Sequence, residues 1–255
     1  MKNTITFIGN GNMALSIAQG LKQHYKIEVV GRDMSKLQRF EEVLGVKIQK
    51  ELLDNFSMDN KEIILCVKPA NIEEIALKLK GNAKVIYSVL AGTPIEKIKT
   101  YLKPKAIVRS MPNLAASVGK SMTTLTGDIL YKEAAEKLLG TIGNTLWLSS
   151  EKELDIATAL AGSGPAYLCL IAEALADGAV KQGMKRDDAM VVMRGLFEGF
   201  APLIQENHPA LLKDAVMSPG GTTAAGYGAL ERYNVRYGCM SAIEDAYKKA
   251  IDLSK

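Results

Sequence analysis

The sequence predicts an α/β protein in two parts: a mostly parallel sheet with helices on both faces, then an all-α half. Three features carry this. Up to about residue 148, short apolar β-branched runs alternate with stretches of helical spacing. The first run, Thr4-Ile5-Thr6-Phe7-Ile8, passes into a helical pattern through Gly9-Asn10-Gly11. From about Ser150 convincing strands stop and helical patterns continue alone. The expected division is residues 1–150 for the sheet domain and 151–255 for the helical domain.

Taken in order, residues 4–8 form a buried strand and the helix after them runs to Leu21. Residues 27–30 form the second strand, and helical spacing follows over 34–44. Residues 62–67 are another buried parallel strand, ending at Lys68-Pro69, and Asn71 is placed to cap a helix over 72–79. Residues 84–89 are the next strand, after which Ala91-Gly92-Thr93-Pro94 opens a short helix. A short strand over 106–109 leads to Ser110-Met111-Pro112-Asn113, and strands over 121–126 and 144–148 flank a helix over 130–139. In the second half, residues 156–160, 166–180, 187–205, 210–217, 224–233 and 236–253 read as helices. The stretch 154–179 is apolar nearly all round and rich in Ala and Gly, the pattern of a helix covered on every side. So small a domain cannot easily provide that cover within one copy, so these helices predict a homodimer.

Composition narrows the classes. The 255 residues are 47% apolar, ample for a core, and the net charge of +4 is small and spread out. No basic run interleaved with aromatics suggests nucleic acid. Cys66, Cys169 and Cys239 are far apart and lack a C-x-x-C spacing, so no disulfide or structural zinc is expected, and a reducing, cytoplasmic location fits. No catalytic or other metal site is expected either, because no His, Cys and carboxylate cluster has ligand spacing. The start lacks the features of a signal peptide, and no run reaches the ~20 apolar residues that span a bilayer, so no membrane partner is expected.

Two glycine signatures carry chemistry. In Gly9-Asn10-Gly11-Asn12-Met13-Ala14, Gly9 makes a tight turn, Gly11 lets a pyrophosphate touch the backbone, and Ala14 fills the third small position where helix meets strand. The motif follows a strand and opens a helix, the context of a Rossmann-type dinucleotide site. An NAD-selective site usually places Asp or Glu at the end of the second strand, but here Gly31 stands there, followed by Arg32, with Ser35 and Lys36 just beyond. A small neutral residue beside a guanidinium suits a 2′-phosphate, so NADPH is expected over NADH; the nearby Asp33 keeps NADH open as the alternative.

The second signature is Ser218-Pro219-Gly220-Gly221-Thr222-Thr223, at the start of a helix. Paired glycines let several N–H groups point one way, and the helix start favours negative charge. No P-loop lysine is present, so a carboxylate is a better ligand than a triphosphate. A plain helix start with a Gly-rich turn is the alternative. Neither His24 nor His208 is given a catalytic role; each lies next to a predicted helix end.

These motifs resemble those of the pyrroline-5-carboxylate reductases. The matching stretches are Phe7-Ile8-Gly9-Asn10-Gly11-Asn12-Met13-Ala14, Val67-Lys68-Pro69, Arg109-Ser110-Met111-Pro112-Asn113, Ala161-Gly162-Ser163-Gly164-Pro165-Ala166-Tyr167, Leu212-Lys213-Asp214 with the 218–223 run, and Ala246-Tyr247-Lys248-Lys249. The chain departs from the family pattern at Leu114-Ala115, at Ala210-Leu211 and at Gly31.

The resemblance implies NAD(P)H-dependent reduction of a cyclic imine carrying a carboxylate, 1-pyrroline-5-carboxylate, to L-proline, the last step of proline biosynthesis. It also implies that Ser218 and the N–H groups of Gly220, Gly221 and Thr222 hold the carboxylate, with the catalytic Thr223 hydroxyl near the ring nitrogen. Glu206 matches a further family position, where it would steady the turn or the proton supply; a solvated carboxylate at a helix end is the alternative. On the cofactor side, Gly9, Asn10, Gly11, Asn12, Met13, Arg32 and Ser35 are joined by Val67, Lys68, Pro69 and Ala91, because ligands in such sheets bind at the carboxyl ends of strands; Asn113 is expected near the nicotinamide, with a turn-forming role as the alternative. An assembly of dimers such as a decamer is a further implication. A hydroxyacid dehydrogenase would need an Asn-x-x-Lys stretch, which residues 161–167 do not offer. A dinucleotide sensor without catalysis is the third reading.

Overall fold

The computed structural model describes residues 2–254. Eight strands form one sheet: β1 (Thr4–Ile8), β2 (Lys26–Gly31), β3 (Gln49–Leu52), β4 (Glu62–Leu65), β5 (Val85–Ser88), β6 (Ile107–Met111), β7 (Ser121–Gly127) and β8 (Gly143–Trp147). Their order is β3-β2-β1-β4-β5-β6-β7-β8. All neighbours are parallel except β6 and β7, which run antiparallel. Side chains alternate between two apolar layers. Ile5, Phe7, Ile64, Val85 and Tyr87 enter one, and Ile8, Ile63, Leu65 and Ile86 the other. Both sheet faces are therefore covered, which is why these strands read as continuous apolar runs.

The helices α1 (Asn12–Leu21), α2 (Met34–Leu44), α3 (Ile72–Ala76), α4 (Ile95–Tyr101) and α5 (Lys132–Leu139) connect the strands. Several boundaries differ from the sequence reading. β3 was not expected; Gln-Lys-Glu-Leu is a polar edge strand without β-branched residues, and backbone pairing to β2 forms it. β4 ends at Leu65, two residues early, and α3 ends at Ala76. Asn71 precedes α3 but makes no side-chain capping bond. After Asn113 the chain makes a 3-10 turn, Leu114–Val118, and Asn113 caps it by accepting from the Ala115 N–H at 3.0 Å.

Beyond the sheet come α6 (Glu151–Ala157), a π-helical turn (Thr158–Gly162), α7 (Gly164–Lys181), α8 (Arg186–Glu206), α9 (Pro209–Val216), α10 (Thr222–Arg232) and α11 (Val235–Ser254). Ser150 caps α6 by accepting from the Glu153 N–H. The chain forms two compact units whose boundary differs from a division at residue 150. The first runs to Ser163 and takes in the chain again from Ile243, and the second is Gly164–Ala242. An ion cluster binds α6 to the sheet. Fully buried Arg109 on β6 donates to Glu151 at 3.0 Å and Asp155 at 2.8 Å, and Glu151 also accepts from the Ile95 N–H at 2.9 Å. At the far end of the chain, α11 crowds the turn before α4: a Cβ on Gly92 would lie 2.6 Å from the Ala250 carbonyl oxygen.

In the second unit α7 and α8 pack on each other, yet among their described residues only Ala176 and Ala189 are buried. Leu170 is 68% exposed and Val191 66%. Joined through the π turn, residues Glu151–Lys181 make a helical path of 31 residues with a mean hydropathy of 1.4 over its most apolar window, and 17% of that window is buried. By length and composition this path could cross a membrane, which corrects the expectation that no such segment exists. Scattered Glu, Asp and Lys interrupt the apolar run, so the sequence shows no unbroken apolar stretch there even though the mean hydropathy is high.

Candidate active site

In the first unit the β1–α1 turn is built around glycine. Gly9 has φ +109°, and a Cβ there would lie 2.7 Å from the Cys66 carbonyl oxygen, so no other residue fits. The Gly9 N–H donates to the Val30 carbonyl at 3.0 Å and the Cys66 N–H to the Ile8 carbonyl at 2.8 Å, which ties the turn to both neighbouring strands. Gly11 is the extended residue before α1; its Cβ position is open space and no side chain caps the helix. The first-turn N–H groups of α1, including those of Asn12 and Met13, have no intrahelical partner. Ala14, fully buried, sets the helix close to the sheet. A cavity of about 200 Å³ opens here, lined by Gly9, Asn10, Gly11, Gly31, Arg32, Leu53, Cys66, Val67, Lys68, Asn71 and Ile75 among others. A bare glycine beside an uncapped helix start fits the pyrophosphate of a dinucleotide.

At the end of β2, a side chain on Gly31 would begin 3.0 Å from the Leu37 Cδ2, so an acid in this position would need Leu37 to shift. Arg32 is exposed and donates through Nη1 to both carboxylate oxygens of Glu74, at 3.1 and 3.2 Å. Asp33 is turned onto its own helix. It accepts from the Ser35 N–H at 2.9 Å, the Ser35 hydroxyl at 2.6 Å and the Lys36 N–H at 3.4 Å, and the Ser35 hydroxyl, first among these, holds its carboxyl below the usual range. The acid that left NADH open is thus a helix cap.

Val67, Lys68 and Pro69 follow β4 at the carboxyl end of the parallel strands, and Lys68 is exposed. Cys66 packs against the core, and burial pushes its thiol pKa far up, so it remains a thiol. Ala91 is half-buried in the turn after β5 and accepts from the Thr93 hydroxyl at 3.4 Å. Asn113 has both ends of its amide engaged: Oδ1 serves Ala115, and Nδ2 donates to the Ala161 carbonyl in the π turn at 3.0 Å. It braces the π turn from the end of β6.

The second unit holds the other signature. The Gly221 N–H donates to the Ser218 carbonyl at 3.1 Å, and Gly220 has φ +71°. This is the pattern of a type II turn, with Pro219 presetting the first corner and glycine taking the second. Gly221 then precedes α10, and Thr222 and Thr223 lie inside the helix, two residues earlier than the spacing suggested. Neither threonine caps it; no side-chain capping bond is made. The Ser218 hydroxyl stands where a Gly221 Cβ would be, 2.5 Å away, so the glycine leaves room for it. Ser218, Gly220, Thr222 and Thr223 are exposed. The turn therefore gathers hydroxyls at an uncapped helix start of eleven residues, the geometry that takes an anion.

Around this turn, the Lys213 ammonium lies 5.5 Å from the centre of the Tyr227 ring, linking α9 to α10. Arg236 binds both Glu231 and the Tyr227 hydroxyl, and its hydrogen bond, then that of Tyr227, brings the Glu231 carboxyl down to about 2. Glu206 is the exposed last residue of α8. His208 caps α9 through Nδ1. Among the described residues no group of three or more His, Cys, Asp or Glu could hold a metal.

Nothing in the sequence marks Leu53, Asn71 and Ile75 as lining the cleft, or Glu74 as the partner of Arg32. Leu53 follows the unexpected β3, and Asn71 reads as a cap. Glu74 reads as one of two helix acids, with nothing in the spacing to mark its reach to Arg32.

Two family models match the chain. One described as pyrroline-5-carboxylate reductase dimerisation covers residues 151–253, and one described as NADP oxidoreductase, coenzyme F420-dependent, covers residues 4–92. The chain is 35% identical to a pyrroline-5-carboxylate reductase of Pisum sativum, with 98% of this chain and 96% of that protein aligned. It is 31% identical to one of Thermus thermophilus, over 98% of both. The 1-pyrroline-5-carboxylate reductase of Streptococcus pyogenes superposes with a TM-score of 0.87 at 31% identity, covering 98% of each chain. A Plasmodium falciparum pyrroline carboxylate reductase crystallised with NADP bound superposes with a TM-score of 0.82 at 25% identity, covering 99% of this chain and 100% of that one. Both glycine signatures, the sheet order and these full-length similarities agree: the chain belongs to the pyrroline-5-carboxylate reductase family.

Proposed function

We propose that this chain reduces 1-pyrroline-5-carboxylate to L-proline with NADPH. The observation that carries the reading is the 218–223 turn, where a glycine at φ +71° leaves an uncapped helix start ringed by Ser218, Thr222 and Thr223. The substrate carboxylate sits on the N–H groups of Gly220, Gly221 and Thr222, with Ser218 donating to it. That anchorage fixes the ring, so positioning supplies much of the rate. Thr223, one residue further into α10, directs its hydroxyl to the ring nitrogen and orients it for protonation. A hydroxyl of ordinary acidity does not itself supply the proton at neutral pH. Glu206, at the end of α8, steadies the turn or the proton supply.

The first unit binds the cofactor. Gly9, Asn10, Gly11, Asn12 and Met13 cradle the pyrophosphate, Arg32 and Ser35 meet the 2′-phosphate, and Val67, Lys68, Pro69 and Ala91 flank the nicotinamide. NADPH, when bound, supplies the hydride for the imine carbon while the nitrogen gains a proton, leaving a C–H and an N–H where the C=N double bond was. Asn113 acts behind this surface, by bracing the π turn. The exposed apolar faces of α7 and α8 are covered by a second copy of the chain, and such dimers can associate further into a decamer.

Following NADPH oxidation by absorbance with 1-pyrroline-5-carboxylate as substrate tests the reading. Oxidation that depends on the imine, with proline as product, is expected. NADPH binding without turnover would indicate a sensor, and NADPH oxidation with a 2-oxo acid instead of the imine would indicate a dehydrogenase.

A further inference from the structure

We propose that Glu74 sets the preference between NADPH and NADH by competing with the 2′-phosphate for Arg32. This rests on the reading above in which Arg32 meets that phosphate. Arg32 lines the cofactor cleft together with Asn71 and Ile75, and Glu74 lies between those two on the same stretch of chain. Both Glu74 oxygens accept from Arg32 Nη1, at 3.1 and 3.2 Å. The two side chains are 52% and 57% exposed, so the pair is weak and opens readily.

Two donors that a 2′-phosphate would use both face carboxylates here. Ser35 donates its hydroxyl to Asp33, as Arg32 donates to Glu74. The two acids differ in what else they do. Asp33 caps α2 through two backbone N–H groups, so the helix depends on it. Glu74 binds Arg32 across 42 residues of sequence, and Glu73 beside it also places an acid in the first turn of α3. Glu74 is therefore the separable acid.

A 2′-phosphate arriving at Arg32 must displace Glu74 from Nη1 or share the guanidinium with it, and either way sits beside its negative charge. NADH brings a neutral hydroxyl in that place, which a carboxylate accepts without repulsion. Glu74 thus weakens NADPH binding selectively and narrows the gap between the two cofactors.

The test is the Michaelis constant for each cofactor in the wild type, Glu74→Gln, Arg32→Gln and the double variant, at low and high salt. Glu74→Gln is expected to lower KM for NADPH about two- to fivefold, the range open to an exposed ion pair, and to raise the NADH-to-NADPH ratio of KM values. High salt shrinks the effect. Arg32→Gln is expected to raise KM for NADPH, and adding Glu74→Gln to it should gain less than in the wild type. An unchanged or higher KM for NADPH in Glu74→Gln, with the Arg32→Gln rise intact, overturns the role of Glu74 and leaves the Arg32 reading standing. An unchanged KM for NADPH in Arg32→Gln overturns the Arg32 reading itself. Glu74→Ala repeats the measurement should Glu74→Gln fail to fold.

Discussion

The two compact units settle their side chains in opposite ways. The sheet unit buries Arg109 completely and answers it with Glu151 and Asp155, and both faces of its sheet are covered by its own apolar residues. The helical unit leaves Leu170, Val191 and Leu196 more than half exposed on its longest helices. Exposed apolar surface of that extent marks a face built for contact. The sheet unit is thus complete in one copy. The helical unit leaves its apolar faces uncovered within one copy, and residues 151–253 match a family model described as pyrroline-5-carboxylate reductase dimerisation.

Breaking each unit at its own weak point sharpens the contrast. The largest effect is expected at Arg109. Arg109→Ala leaves Asp155 buried without its cation and should cost about 3–5 kcal/mol, read as a lower denaturation midpoint. Glu in place of both Leu170 and Val191 should instead convert a dimer to a monomer in size-exclusion with light scattering, with little change in the melting of the sheet unit. A dimer that survives this pair of charges places the interface elsewhere.

Next in size is Thr223→Ala. Loss of one oriented donor at a reacting group costs about 10²-fold in kcat, while NADPH affinity, measured by fluorescence titration, stays as it was. An unaltered kcat removes Thr223 from the chemistry. Gly220→Ala is milder. No atom lies within 4 Å of the added Cβ, so the cost is conformational, about 1–2 kcal/mol for a side chain at φ +71°. It should appear as a raised KM for the imine acid. Gly9→Ala adds a collision with the Cys66 carbonyl to the same kind of strain and should cost more.

The smallest effect concerns acid. Arg236 and Tyr227 hold the Glu231 carboxyl at about 2, below its ordinary 4.5. The stability this contributes is full above pH 4.5 and is lost as pH falls through about 2. Glu231→Gln should flatten that part of the pH–stability curve; an identical acid limb in the variant contradicts the pairing.

Much of the fold was legible because burial writes itself into sequence. β1, β4 and β5 are covered on both faces, and their apolar runs say so. β3 was not legible, since an edge strand needs only its backbone and Gln-Lys-Glu-Leu carries a single apolar residue and no β-branched one. The two glycine turns could be read because a positive φ, at Gly9 and Gly220, restricts the residue choice. The partners of Arg109 and Arg32 could not. Glu151 and Glu74 are each 42 residues from their arginine, and nothing local encodes that pairing. The π turn was hidden for the same reason, since Asn113, 48 residues before Ala161, braces it.

The most direct test of the whole account is a crystal structure with a cyclic amino-acid analogue of the substrate bound. Its carboxylate is expected on the N–H groups of residues 220–222, with the Ser218 and Thr223 hydroxyls within hydrogen-bonding distance of the ligand. A carboxylate bound elsewhere, with this turn facing away from any ligand, would contradict it.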